Sequence, residues 1–496
     1  MFFHSLLFLY LFLPVTLFFF YISRKSLRNI ILLLASLVFC AWFQISLSLV
    51  LIGSITLNYF AGIAIEQASR EQRKKLWFVL AVIANLALLG VFKYLAFLGG
   101  MVSDIISIFG INPFIIKEFG MPLGISFYTF KALSYLISVK RKEVAAQKSF
   151  IDLAVYMSLF PQLVAGPIDR YKNLAPQLEN PSASFERFSS GVKRFVLGLA
   201  KKVIIATPLA LLADKIFNNP VSQLNASLAW LGAACYTLQI YYDFAGYTDM
   251  AIGVGKMFGL EFAENFNFPY NARSFKDFWK RWHITLTSWL RDYLFLPLAY
   301  ARSKKMAKEK YLFLKTDHWI YIYATIITFL LCGLWHGAAW TFVVWGLFHG
   351  IMLVIEQLGF GRILKKTFRP LQHLYLLFFL ALSWVLFRSA TPRDAFQYIG
   401  AMFGGGGQPE NLSLAYEYLN TQAIYVLIIG ILGATRFFDR ILVFIRSAGD
   451  SKNSVFMIAG THFYHVSVIL FVLLTLALAT IFIIAGTSIP FIYFKF

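Results

Sequence analysis

Residues 332–340 read CGLWHGAAW, an apolar run that comes to an imidazole, His336, between Trp335 and Gly337. Burying a polar ring there is costly unless a partner holds it or a reaction uses it. The reaction that suits it is general-base catalysis. Burial disfavours the imidazolium and leaves a neutral ring able to take a proton from a hydroxyl. The alternative is structural, with the ring held by a carbonyl or hydroxyl. His349 follows in WGLFHG, but the two histidines do not form a metal-binding pair at helical spacing, and no metal is expected.

The densest chemistry lies in residues 277–293, DFWKRWHITLTSWLRDY. At about 100° per residue, a helix here would carry Lys280, His283, Thr287 and Arg291 on one face. Phe278, Trp279, Trp282, Leu286, Trp289 and Tyr293 would fall on the opposite face. Such an amphipathic helix can lie at headgroup depth. Alternatively its cationic side, with Arg281, can line the path of an anionic donor such as a nucleotide or a phosphate-bearing cofactor.

Upstream, QIYYDFAGYTDMAIGVGKMFG (239–259) places Asp243 and Tyr247 on one helix face and Asp249 on another. A carboxylate at such depth calls for a basic partner, and Arg281 or Arg291 would serve. The glycines at 253, 255 and 259 lack dinucleotide-fingerprint spacing and suit close helix packing instead. The chain has no GxSxG elbow, no HxxxxD signature and no GxxxxGK loop, so soluble-type catalytic machinery is not expected.

The elements that must position these residues are membrane helices. The 496 residues are 59% hydrophobic and 18% aromatic, against roughly 45–50% apolar content in an ordinary soluble domain. Runs long enough to span about 30 Å of hydrocarbon begin near Phe2, Asn29, Ser46, Trp77, Met121, Gly191, Ala226, Trp319, Ala339, Leu371, Gln422 and Phe463. They imply an all-α, polytopic protein with roughly 10–12 transmembrane helices. The first run lacks a basic lead and a small-residue cleavage site and reads as a retained span. From Trp319 a straight helix rises about 26 Å to His336, into the outer part of a bilayer, where an outer funnel could reach the ring.

Between 139 and 300, Lys201, Lys202, Asp243 and Asp249 interrupt the apolar pattern, which predicts broken or re-entrant helices around a central tunnel. Cys40, Cys235 and Cys332 imply neither a disulfide framework nor structural zinc. The net charge of +21 sits in short clusters between apolar runs, near residues 24–28, 70–75, 140–142, 302–310, 362–369 and 436–446. That is a topology signal rather than a nucleic-acid footprint. With these clusters cytoplasmic, both termini lie outside. The whole of 1–496 reads as one membrane domain, with 390–421 as an extracytoplasmic loop made flexible by Gly404–Gly407.

At this point the chain resembles the membrane-bound O-acyltransferases, in their bacterial alginate O-acetyltransferase branch. The resemblance rests on LFLYLFLPV, MPLGISFYTFKALSYLI (121–137), FPQLVAGPIDRY (160–171), YYDFAGYTDMAIG (241–253), FWKRWHITLTSWLRDYLFLPL (278–298), GLWHGAAWTFVVWGLFHG (333–350) and the ending PFIYFKF. It implies that His336 and His283 are catalytic, with Lys280, Arg281 and Arg291 on the donor path. Asp243, Tyr247, Asp249, His349 and Trp335 then become tunnel or structural residues. It further implies no resident cofactor, acetyl-CoA or a derived acyl group as a cytosolic donor, and an inner-membrane enzyme. Outside, an SGNH-type acetyltransferase partner and a polysaccharide acceptor receive the acyl group. The expected function is O-acetylation of an exported polysaccharide such as alginate. D-alanyl transfer to teichoic acid is the alternative within the class, and a transporter or flippase, or a scaffold without chemistry, the alternatives outside it.

Overall fold

A computed structural model describes residues 1–110, 112–117, 119–306, 308–311, 314–409, 412–441, 443, 454–486 and 491. Arg446 of the last basic cluster and, apart from Phe491, the ending SIPFIYFKF lie outside the described residues. The fold is 77% helical; a two-residue antiparallel pair, Lys310–Tyr311 with Leu314–Lys315, is the strand content among the described residues. Seven helices there are long and apolar enough to cross a membrane: Ile45–Gln67, Glu71–Ser107, Phe185–Phe217, Thr316–His336, Trp340–Lys366, Arg369–Arg388 and Val466–Ile484. Phe8–Ile22 and Thr421–Gly433 are shorter apolar helices. On Val466–Ile484 the side chains of Ile469, Leu470, Leu473 and Leu474 are exposed, an apolar surface that lipid solvates and water does not.

The chain divides into two compact units. The first comprises Met1–Phe195 and Thr248–Ala263. Its core is an aromatic cluster in which Phe3, Phe8, Phe39 and Phe160 meet edge to face or tilted. Beside it, the buried Lys131 ammonium donates to the Tyr156 carbonyl at 2.7 Å and to Gln162 Oε1 at 2.6 Å. Gln162 in turn donates to Asp169 Oδ2 at 2.6 Å, so each buried polar group is satisfied as burial requires. A Cβ at Gly253 would collide with the Phe195 backbone nitrogen, so the glycine expected to permit close helix packing does so.

The second unit comprises Val196–Tyr247 and Glu264–Phe496. Thr316–His336 and Trp340–Lys366 pack with backbones in contact. An added Cβ at Gly333 would overlap the Phe342 carbonyl oxygen, and one at Gly346 the Phe329 carbonyl oxygen. The turn between the two helices begins at Gly337, which stops the first helix directly after His336.

Two sequence expectations change here. Residues 277–293 do not form one amphipathic helix. A single turn, Phe275–Phe278, is separated from Ile284–Leu290 by a bend in which His283 adopts left-handed backbone angles, φ 43° and ψ 54°. The face shared by Lys280, His283 and Arg291 therefore does not exist. Nor is 390–421 an open loop. It folds into Pro392–Gly400, started by a reciprocal cap between Thr391 and Asp394, and Leu412–Tyr418. Gly406 and Gly407 fit against the Leu224 and Ser222 carbonyls where a side chain would not, and the amides of Gly407 and Gln408 reach Val221 and Leu224. These glycines are selected by close approach rather than by flexibility.

Candidate functional site

His336 is the last residue of Thr316–His336 and is only 4% exposed. Three rings enclose it: Trp335 at 4.9 Å, Trp345 at 5.0 Å and Phe387 at 5.2 Å between centroids. Trp345 comes from Trp340–Lys366 and Phe387 from Arg369–Arg388, so three membrane helices build the cage. Each tryptophan also touches a second histidine. Trp335 lies 6.1 Å from the His283 ring and Trp345 4.7 Å from the His349 ring. Three histidines far apart in sequence are thereby linked through two indoles.

The two flanking histidines are held in different ways. His349 is fully buried, and its Nδ1 accepts a hydrogen bond from Trp279 Nε1 at 3.3 Å. An indole N–H can only donate, so this ring keeps its proton on Nε2. His283 is also fully buried, with its Nδ1 3.1 Å from Asn265 Oδ1. It lies outside the seven long apolar helices, and burial pushes its pKa down, favouring the neutral ring. Phe244 packs edge-on against it at 4.7 Å.

Beside the cage lies a cavity of about 320 Å³ lined by Asp214, Tyr236, Gln239, Thr341, Phe387 and Arg388, among others. Phe387 is thus shared between the cavity wall and the His336 cage. Arg388, the final residue of its helix, donates to Asp214 Oδ1 at 2.5 Å. This places a guanidinium and its carboxylate partner in a wall that is otherwise a mixture of aromatic, small and neutral polar side chains.

The other residues singled out in the sequence are distributed elsewhere. Asp243 pairs not with Arg281 or Arg291 but with Lys202 at 2.8 Å, both side chains being 3% exposed. The reason is a wide helical turn at Lys201–Ala206, which lies against the helix carrying Asp243 where Gly246 meets the Gly198 carbonyl. Asp249 pairs with Arg194 at 2.6 Å, and Tyr247 stacks on Phe491 at 4.8 Å. Arg281 binds Asp277, four residues earlier, at 2.9 Å; Arg291 binds its neighbour Asp292 at 2.7 Å; Lys280 is exposed. None of these three cations lines the cavity. Conversely, sequence reasoning passed over Asn265, Asp214, Tyr236, Gln239 and Arg388. Asp214 and Arg388, as charges in or at the end of apolar runs, carried a readable signal, whereas Asn265, Tyr236 and Gln239 are ordinary residues until the fold gathers them.

The sequence profile of MBOAT, the membrane-bound O-acyltransferase family, matches residues 32–389. The chain is 38% identical to the Pseudomonas aeruginosa protein named "Probable alginate O-acetylase AlgI", over 88% of this chain and 82% of that one. It is 32% identical to the peptidoglycan O-acetyltransferase of Helicobacter pylori, over 100% and 97%. It is 31% identical to the teichoic acid D-alanyltransferase of Bacillus subtilis, over 47% and 58%. The matched span contains the His336 cage, the flanking histidines and the cavity beside them, and the chain belongs to the membrane-bound O-acyltransferase family and is an O-acyltransferase.

Proposed function

We propose that the protein transfers acetyl groups from a cytosolic thioester donor, acetyl-CoA or a group derived from it, for O-acetylation of an exported polysaccharide. The observation that carries this reading is the placement of His336, buried at a helix end inside an aromatic cage whose Phe387 wall also bounds a 320 Å³ cavity. A neutral imidazole takes the proton of the accepting hydroxyl as its oxygen attacks the thioester carbonyl carbon. The carbon–sulfur bond then breaks, and the sulfur leaves as a thiol once it has taken up a proton. In a bacterial plasma membrane, with both termini extracytoplasmic, the donor reaches this point from inside. The acceptor, an SGNH-type partner or the polymer itself, reaches it from outside.

Alginate is the acceptor suggested by the Pseudomonas relative. The match to the Helicobacter enzyme over nearly both whole chains favours a second reading, in which the acceptor is a peptidoglycan glycan. The test is the acetyl content of secreted polymer and of purified cell-wall glycan, compared between cells with wild-type protein and cells with His336→Ala at matched membrane levels. Loss of ester from one of the two polymers identifies the acceptor. Unchanged acetylation of both would overturn the assignment of His336 as base.

A further inference from the structure

His283 and Asn265 are fully buried, and their hydrogen bonds determine which ring nitrogen carries the proton. Asn265 Oδ1 lies 3.2 Å from the Thr285 backbone nitrogen and 2.9 Å from Thr285 Oγ1. The backbone N–H can only donate, so the atom facing it is the amide oxygen and not the amide nitrogen. His283 Nδ1 approaches that same oxygen at 3.1 Å. An oxygen offers no proton, so Nδ1 must carry one. In a buried neutral ring, Nε2 is then left with a bare lone pair, and among the described residues it has no hydrogen-bond partner.

The backbone holds this arrangement in place. The Ile284 amide donates to the Asn265 carbonyl at 2.9 Å, and the Asn267 amide to the Arg281 carbonyl at 3.0 Å. The bend at 279–283 is thereby tied to the non-helical segment 265–267. The left-handed backbone of His283 is an unfavourable conformation for a residue with a Cβ, tolerated where surrounding contacts over-determine it. Trp335 connects this ring to His336.

We propose that Asn265 is a positioning residue that locks His283 as the Nδ1–H tautomer, so that Nε2 accepts a hydrogen bond from a protic group of bound substrate. This rests on the acyltransferase site described above. It also excludes His283 as an N–H donor to the oxyanion formed when the thioester is attacked, because Nε2, the nitrogen not committed to Asn265, has no proton to give. His349 has the opposite tautomer, so the two flanking histidines are not interchangeable.

The test uses the full chain in lipid with ring-¹⁵N-labelled histidine. There are eight histidines in the sequence, and the His283 signals are those lost in His283→Gln. Near neutral pH, His283 is expected to show a protonated Nδ1 and an unprotonated Nε2. A protonated Nε2, in either the neutral or the charged ring, would overturn the proposal without any variant at Asn265 having to fold. Kinetically, Asn265→Ala should lower kcat on the order of ten- to a hundredfold, the scale on which a metal-bound imidazole suffers when the partner that orients it is removed, with donor KM unchanged. Asn265→Asp, which keeps an accepting oxygen, should recover turnover relative to Ala. Equal losses in the two variants, or a KM effect with kcat intact, would also overturn it. If the wild type transfers no acetyl group, the functional reading falls while the spectrum still decides the tautomer.

Discussion

His336 and His349 both pack against Trp345, yet their surroundings differ enough to separate their roles by experiment. His349 Nδ1 is the acceptor for the Trp279 indole, so His349→Ala leaves a buried donor without its partner. That costs about 1–3 kcal/mol and should appear as a lowered unfolding temperature of the purified protein. Transfer per folded molecule should fall less than in His336→Ala. For the latter, removal of the proposed general base predicts a loss of about 10²–10⁴-fold in turnover with little change in stability, measured with a soluble thioester donor. A His349→Ala variant that is fully stable and fully inactive would reverse the two roles.

At the scale of elements, two features hold the site in register. The first is the Lys202–Asp243 pair inside the second unit. Asp243→Leu removes the carboxylate from a buried ammonium and should destabilise by about 3–5 kcal/mol, whereas replacing both ions by apolar side chains is often neutral. The double variant Lys202→Met/Asp243→Leu should therefore unfold at a higher temperature than the single one. If both unfold together, the pair is not the source of the penalty. The second is the glycine contact between the helices carrying His336 and Trp345. Gly333→Ala would push against backbone, separating the helices and widening the cage around His336. The expected result is an inserted, folded protein with reduced turnover, checked by membrane yield alongside transfer rate.

At the scale of the whole molecule, the proposed orientation, with the basic clusters on the cytoplasmic side, is open to a labelling test. A cysteine at Gly405, which is exposed, should react with an impermeant maleimide added outside sealed cells. One at Arg73 should react only after permeabilisation. Arg73 is the better reporter because its neighbour Lys74 is buried and would resist labelling from either side. Labelling of Arg73→Cys in sealed cells would invert the topology, and with it the side from which the donor enters.

The sequence alone determined the solvent and the element type, and it singled out His336 as a residue to be explained. Long apolar runs can satisfy their backbone only as helices in lipid, and a polar ring within such a run needs a reason to be there. It also announced, through Lys202, Asp243 and Asp249, that helices between 139 and 300 would be irregular. Only the tertiary structure decided which charges pair, because Asp243 meets Lys202 through a wide turn and two touching glycines that no period in the sequence reveals. The break at His283 was equally hidden. The 100° pattern of 277–293 is a good helix pattern, and it is overridden by hydrogen bonds from Ile284 and Thr285 to Asn265, a residue eighteen positions away from His283. Local periodicity records which residues are apolar. Which imidazole nitrogen is left to act depends on a partner that only folding brings within reach.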